Sequence, residues 1–202
     1  MTIRRGKPWG EPAVCPPAVS VVSGDRGLRN WVLQHRARGV AIPEVGVAGG
    51  DLARTCGATS GARPCTAKVT VDVMQVVLDD REPTCGVAHV IARRHWLRGE
   101  LALVMNAQFY GRYDVAPRSH PNDGKIDVLQ VDPAMRWRER LQARQRARPG
   151  AHLPHRDLAF WSLSHVDLHF DRPLIVWIDG VRQGAASRLR VVAEPDALTI
   201  YV

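Results

Sequence analysis

The spacing of apolar residues changes period along the chain. Leu28, Trp31, Val32 and His35 recur at helical spacing on one face. Asp25 is placed to cap that helix and Gly39 to stop it. Short apolar runs at 19–22 and 45–47 flank it and predict brief buried strands. Residues 1–17 hold several prolines without periodicity and read as an irregular lead-in, and 59–66 reads as a loop. Beyond this loop the period becomes two, with Val69, Val71 and Val73 alternating with Thr70 and Asp72. Further strands are expected at 86–92, 100–110, 113–115, 126–131, 158–163, 166–170, 174–178, 189–192 and 198–201. One more helix is expected from Asp132, as cap, with Pro133 at its first position. Trp137 and Leu141 give that helix a thin apolar stripe, and Arg136, Arg138, Arg140, Arg144 and Arg146 cover the rest. Many short strands at regular intervals predict an α+β, mainly β fold. We expect an antiparallel β-sandwich over 58–202, preceded by a short α/β segment over 1–57.

Composition narrows the class. The 202 residues are 45% hydrophobic, enough for one large domain or a small lobe attached to a larger one. No apolar run is long enough to cross a bilayer. The basic N-terminus has no apolar segment behind it, so it is not read as a secretion signal. Cys15, Cys56, Cys65 and Cys85 form no C-x-x-C pair, which argues against a zinc site and for free thiols in a reducing cytoplasm. The net charge of +8 suits an anionic membrane surface or nucleic acid. It equally reflects a preference for arginine, since lysine occurs only at Lys7, Lys68 and Lys125. No motif that docks a helix or an aromatic sheet on nucleic acid is present, so nucleic acid is not the expected partner.

Two stretches invite chemistry. A strand runs into Gly49-Gly50-Asp51 and then into a short helix ended by Gly57. Glycines permit close backbone approach, and free N–H groups at a helix start favour an anion. Many glycine turns are nevertheless only turns. The second stretch is the polar turn 117–125, which contains Asn122-Asp123-Gly124. It reads either as a structural hairpin or as a source of oxygens for a hard cation. His152, His155, His165 and His169 lack a tight ligand pattern. His165 and His169 would share one side of a strand, a weak metal option beside the plainer reading as surface histidines. The arginine-rich helix reads either as a solvated face or as one turned to anionic lipid headgroups.

The second half resembles the diacylglycerol kinase and sphingosine kinase family of lipid kinases. Val115-Ala116-Pro117, Asn122-Asp123-Gly124 and Ile126-Asp127-Val128 follow the family's V-A-P, D-D-G and apolar-D-V order, and similarity runs from about Val45 onward. The basic helix, then Gly150, His152 and His155, then Asp179-Gly180 follow the family's later landmarks. The resemblance extends to Gly49-Gly50-Asp51-Leu52-Ala53-Arg54-Thr55, which is similar to the G-T-G-N-D-[FL]-A-R loop near the nucleotide phosphates. Gly49, Gly50, Asp51 and Thr55 are thereby implied as phosphate-loop-like residues. Val47 stands at the family's first glycine and Gly50 at its asparagine. The ATP loop, G-G-D-G-T, is not found in the chain, and the upstream region is too short for the family's nucleotide-binding lobe. The glutamate of the family's final D-G-E is Val181 here, which cannot accept a proton. The resemblance also implies a structural magnesium held by the His120 carbonyl, the Asp123 carboxylate and the Lys125 carbonyl, whereas ATP binding lacks its loop.

The expectation is therefore a truncated diacylglycerol-kinase-like protein of the cytoplasm or membrane periphery, without autonomous kinase activity. It would bind lipid, an anionic membrane surface, a partner protein or a second copy of itself. The alternatives are an active lipid kinase completed by another chain and a basic nucleic-acid-binding protein that keeps only the fold.

Overall fold

The computed structural model describes residues 9–58 and 67–202. The expected 59–66 loop and Cys65 lie outside the described residues. The chain begins with β1 (Gly10–Pro12), β2 (Val21–Ser23), α1 (Gly24–Ala37), β3 (Val45–Ala48) and α2 (Asp51–Thr55). It continues with β4 (Ala67–Leu78), β5 (Thr84–Gly86), β6 (His89–Arg93), β7 (Leu101–Met105), β8 (Phe109–Tyr110) and β9 (Tyr113–Asp114). The last elements are β10 (Ile126–Val131), α3 (Trp137–Arg146), β11 (Leu158–Leu163), β12 (His165–Ile178) and β13 (Val181–Tyr201). Strand accounts for 47% of the described residues and helix for 16%, so the expected β-rich α+β class holds.

The main path of the large sheet runs β1-β4-β13-β12-β6-β7-β10-β11, with antiparallel neighbours throughout. Four strands separate β4 from β10 on that path. Even so, Met74 and Val76 of β4 share one buried cluster with Ile126 and Val128 of β10. The sheet must curl until its inner faces meet, which is the sandwich geometry. Around this core the burial alternation of β12 follows the period of two.

The N-terminal β2-α1-β3 unit joins the same sheet. β2 lies parallel to β3, and β3 lies parallel to the end of β13 through Val45 opposite Ile200. Leu28 and Val32 of α1 are fully buried against this corner. Arg29 is buried too: Nε donates to the Cys85 carbonyl at 2.7 Å and Nη2 to the Thr84 hydroxyl at 3.0 Å. The helix is thus clamped to β5.

Several expectations need correction. Ser23, not Asp25, is the N-cap of α1, and β1 lies within the expected irregular lead-in. The pairs 166–170 with 174–178 and 189–192 with 198–201 are not separate strands, because β12 and β13 each run through the interruption. Register shifts between His169 and Leu174, and between Glu194 and Leu198, absorb Pro173 and Pro195 as bulges. Residues 86–92 break at Val87 and Ala88, where the amides turn to a side chain instead of a ladder. Helix α3 starts after Arg136, not Asp132, whose Oδ1 instead accepts the Ala134 N–H at 2.7 Å in a preceding turn. Its inward face is Arg140 and Ala143, whereas Trp137 and Leu141 are exposed.

Leu189 has no solvent exposure and belongs to the central cluster. Leu189→Ala should lower stability by roughly 2–5 kcal/mol in urea unfolding. The exposed Val21 should tolerate Val21→Ala with a change within about 0.5 kcal/mol.

Candidate functional site

Two strand-to-helix turns meet side by side. In the first, β2 ends at Ser23 and Asp25 sits in the first turn of α1. In the second, β3 leads through Gly49 and Gly50 to Asp51, the first residue of α2. Gly50 has φ +98°, and a Cβ there would stand 2.6 Å from Asp25 Oδ1. Only glycine permits this approach. Its result is that the Asp25 carboxylate caps α2, accepting the N–H of Asp51 at 2.8 Å and of Leu52 at 3.1 Å. The amides expected to face a phosphate are already occupied by an internal anion.

Asp51 points away from its own helix. Its carboxylate accepts the Gly111 N–H at 2.9 and 3.0 Å and lies 3.3 Å from His89 Nε2. Thr55 holds the same corner: its hydroxyl donates to the Asp51 carbonyl at 2.7 Å and accepts the Gln108 N–H at 3.0 Å. Arg54 stacks over Phe109, 3.8 Å from the ring centroid, and donates to the Gly111 carbonyl. The β8–β9 hairpin is therefore tied to α2 on several sides.

The turn between β12 and β13 supplies the third carboxylate. Asp179 adopts φ +46° and is buried. It accepts N–H groups from Val87 at 2.8 Å, Ala88 at 2.9 Å and His89 at 3.0 Å. Val181, at the expected glutamate position, begins β13 opposite Ile178.

His89 stands among these groups. It is 5% exposed and packs edge-on against Tyr110 with centroids 4.9 Å apart. Burial alone would lower its pKa. The hydrogen bond to Asp51 and the charges of Asp179 and Asp25 outweigh burial and hold the imidazole above its usual value. Burial raises the carboxyl groups of Asp25 and Asp179, partly offset by the amides they accept. Asp25, Asp51 and His89 each offer a ligand atom, all within 4.8 Å of one another. Two oxygens and one imidazole nitrogen at that spacing could hold a divalent cation.

The expected magnesium residues lie elsewhere, at the 117–125 turn. His120 packs edge-on against Trp9 with centroids 4.5 Å apart, and its Nδ1 accepts the Asn122 N–H. Asp123 Oδ1 accepts the Lys125 N–H at 3.0 Å. Asp72 of β4 pins the turn from the side, accepting the N–H of Gly124 at 2.7 Å and of Asp196 at 2.9 Å. An oxygen-only set of one carboxylate and two carbonyls fits the preference of magnesium, and Asp123 already uses one oxygen to close its own turn. The four downstream histidines do not converge. His152 is buried against the Val115 carbonyl and His155 lies near Asp157. His165 and His169 share the exposed side of β12, with Asp167 between them engaged by Arg188 and Arg190.

A cavity of about 100 Å³ lies between α3 and the face formed by β7, β10 and β11. Leu101, Leu103, Leu129, Val131 and Met135 form much of its wall. Tyr110 lines it as well, so one aromatic ring separates this apolar space from His89.

Two glycine turns thus converge on partly buried carboxylates at the βαβ corner of a curled β-sandwich. The chain belongs to the family of the YegS C-terminal NAD kinase beta sandwich-like domain, whose pattern matches residues 58–202. No curated protein matches the sequence. Among solved structures, two of a protein assigned as a diacylglycerol kinase from Bacillus anthracis strain Sterne superpose with a TM-score of 0.65. Their identities are 11% and 12%, covering 90% of this chain and 76% and 77% of theirs. A third, described as a diacylglycerol kinase from the same strain, gives a TM-score of 0.57 at 13% identity, covering 90% of this chain and 75% of its own.

Sequence reading missed Asp25 and His89 as site residues. Ser23-Gly24-Asp25-Arg26-Gly27 keeps one glycine and the aspartate of G-G-D-G-T at a strand-to-helix turn, but Arg26 and Gly27 replace the residues that make the motif conspicuous. His89 carries no local signal, because its partners are distant in sequence.

The sign of the pH dependence follows from these shifts. A group whose pKa is raised on folding adds stability below its unfolded pKa and loses it as pH rises through the folded one. His89, Asp25 and Asp179 all shift in that direction. Urea-unfolding stability should fall as pH rises, from about 4 for the two carboxyl groups and from about 6.5 for His89, the ordinary values of these groups. His89→Gln should flatten the upper part of the profile.

Proposed function

We propose that this protein is a lipid-binding member of the lipid-kinase family that does not transfer phosphoryl groups on its own. The observation that carries the reading is the largely apolar cavity beneath α3, walled mainly by aliphatic and aromatic side chains and set one ring away from the partly buried carboxylate cluster. A concave apolar site of this kind suits an acyl chain better than a polar metabolite. The lack of transfer is argued from the residues present. Phosphoryl transfer needs nucleotide phosphates held by backbone amides and a carboxylate at the acceptor hydroxyl. Here Asp25 occupies the α2 amides, Arg26 and Gly27 replace the glycine and threonine of the ATP loop, and Val181 replaces the glutamate. No described helix is long and apolar enough to cross a membrane, and the reading places the protein at a membrane surface from which it takes lipid.

One observation favours the enzymatic alternative. Asp25, Asp51 and His89 together retain cation-binding and proton-accepting groups beside the cavity. A second chain supplying nucleotide could use them.

Two measurements test the proposed reading and the magnesium site. Purified chain, radiolabelled Mg-ATP and diacylglycerol vesicles should yield no labelled lipid above a protein-free control, while the vesicles still retain the protein on flotation. Labelling at an enzymatic rate overturns the reading. The structural-magnesium reading at Asp123 predicts a calorimetric binding signal with magnesium that disappears in Asp123→Ala. Identical titrations of the two proteins would remove it.

A further inference from the structure

The cavity beneath α3 is largely apolar, with Tyr110, Tyr113 and the exposed Arg144 in its wall, and it is lined by two buried side chains, each with a nitrogen that has no hydrogen-bond partner among the described residues. Arg140 is 4% exposed and His152 is 3% exposed, and both line the cavity. Arg140 Nε donates to the Met135 carbonyl at 3.1 Å, and Nη2 donates to the carbonyls of Gly99 at 2.6 Å and Asp132 at 2.8 Å. Nη1 donates to nothing. All three acceptors are neutral. The Asp132 carboxylate lies near enough to favour the charge, but its Oδ1 accepts the Ala134 N–H. A guanidinium this deep ordinarily meets an anion directly, because burial of an unpaired charge is costly. His152 Nε2 lies 3.1 Å from the Val115 carbonyl, so that nitrogen carries the ring proton, and Nδ1 is left without a partner.

We propose that the cavity takes the carboxyl end of an amphiphilic acid, with one carboxylate oxygen accepting from Arg140 Nη1. The first methylenes lie against Leu103, Leu129 and Val131, and the rest of the chain leaves through the open side of the cleft. This rests on the lipid-binding reading and narrows it to the free acid. An ester carbonyl could accept from the same nitrogen, but it lacks the charge that Arg140 requires. A guanidinium–carboxylate bond is roughly twice as strong as a neutral one. The acid should therefore bind more tightly than uncharged molecules of equal chain length.

The test is calorimetry on the full chain at pH 7 with octanoate, methyl octanoate and 1-octanol. Octanoate should bind roughly tenfold or more tightly than the other two. Arg140→Gln, its fold checked by circular dichroism, should reduce the three to similar affinities. Ala143→Leu, which fills the wall, should weaken all three. Equal binding of acid, ester and alcohol to the unaltered chain overturns the carboxylate assignment and leaves the lipid-binding reading standing. Absence of binding by all three overturns both. The ligand comparison decides the matter even where Arg140→Gln fails to fold.

Discussion

The fold and its candidate site depend on one buried carboxylate. Asp179 collects three consecutive amides from the break between β5 and β6 and returns its own N–H to the His89 carbonyl at 3.0 Å. A strand break inside a core would otherwise leave those donors unpaired, a costly condition. Asp179 makes the break affordable and fixes the backbone of His89. From that position the imidazole reaches Asp51, whose helix is capped in turn by Asp25. Three aspartates from three sequence regions are thus joined through backbone amides and one histidine.

The fold is shared with the solved structures at only 11–13% identity. What the fold needs is an acceptor at each of two helix or strand starts, not a particular catalytic sequence. Asp25 meets the need at α2 with its side chain, in the place where a bound phosphate would meet it. The same geometry therefore serves a binding protein or an enzyme, and the surrounding residues decide between them.

Much of the fold was legible in sequence because it rests on local periodicity. Helix α1 and the apolar runs of β4 and β10 follow from residues that are neighbours along the chain. The length of β12 and β13 was not legible, since Pro173 and Pro195 look like terminators until a bulge lets the ladder continue. The polarity of α3 was misread for a related reason. Arg140 lies inward through its bonds to carbonyls while Trp137 lies outward, an inversion that hydropathy cannot signal. Of the site, Gly49, Gly50, Asp51 and Thr55 were visible as a motif, and the structure brings them to one corner. His120, Asp123 and Lys125 form a separate turn. Asp25 and His89 were invisible because their roles arise from contacts across 26 and 38 residues, counted from Asp51 (51 − 25 and 89 − 51).

Amide hydrogen exchange in Asp179→Asn measures the central constraint directly. Asparagine keeps the size of the side chain but offers one acceptor oxygen and no charge for three amides. The account predicts that Val87, Ala88 and His89 lose roughly tenfold or more of their protection, while the amides of β10 and β11 keep theirs. Unchanged protection at those three residues would contradict it.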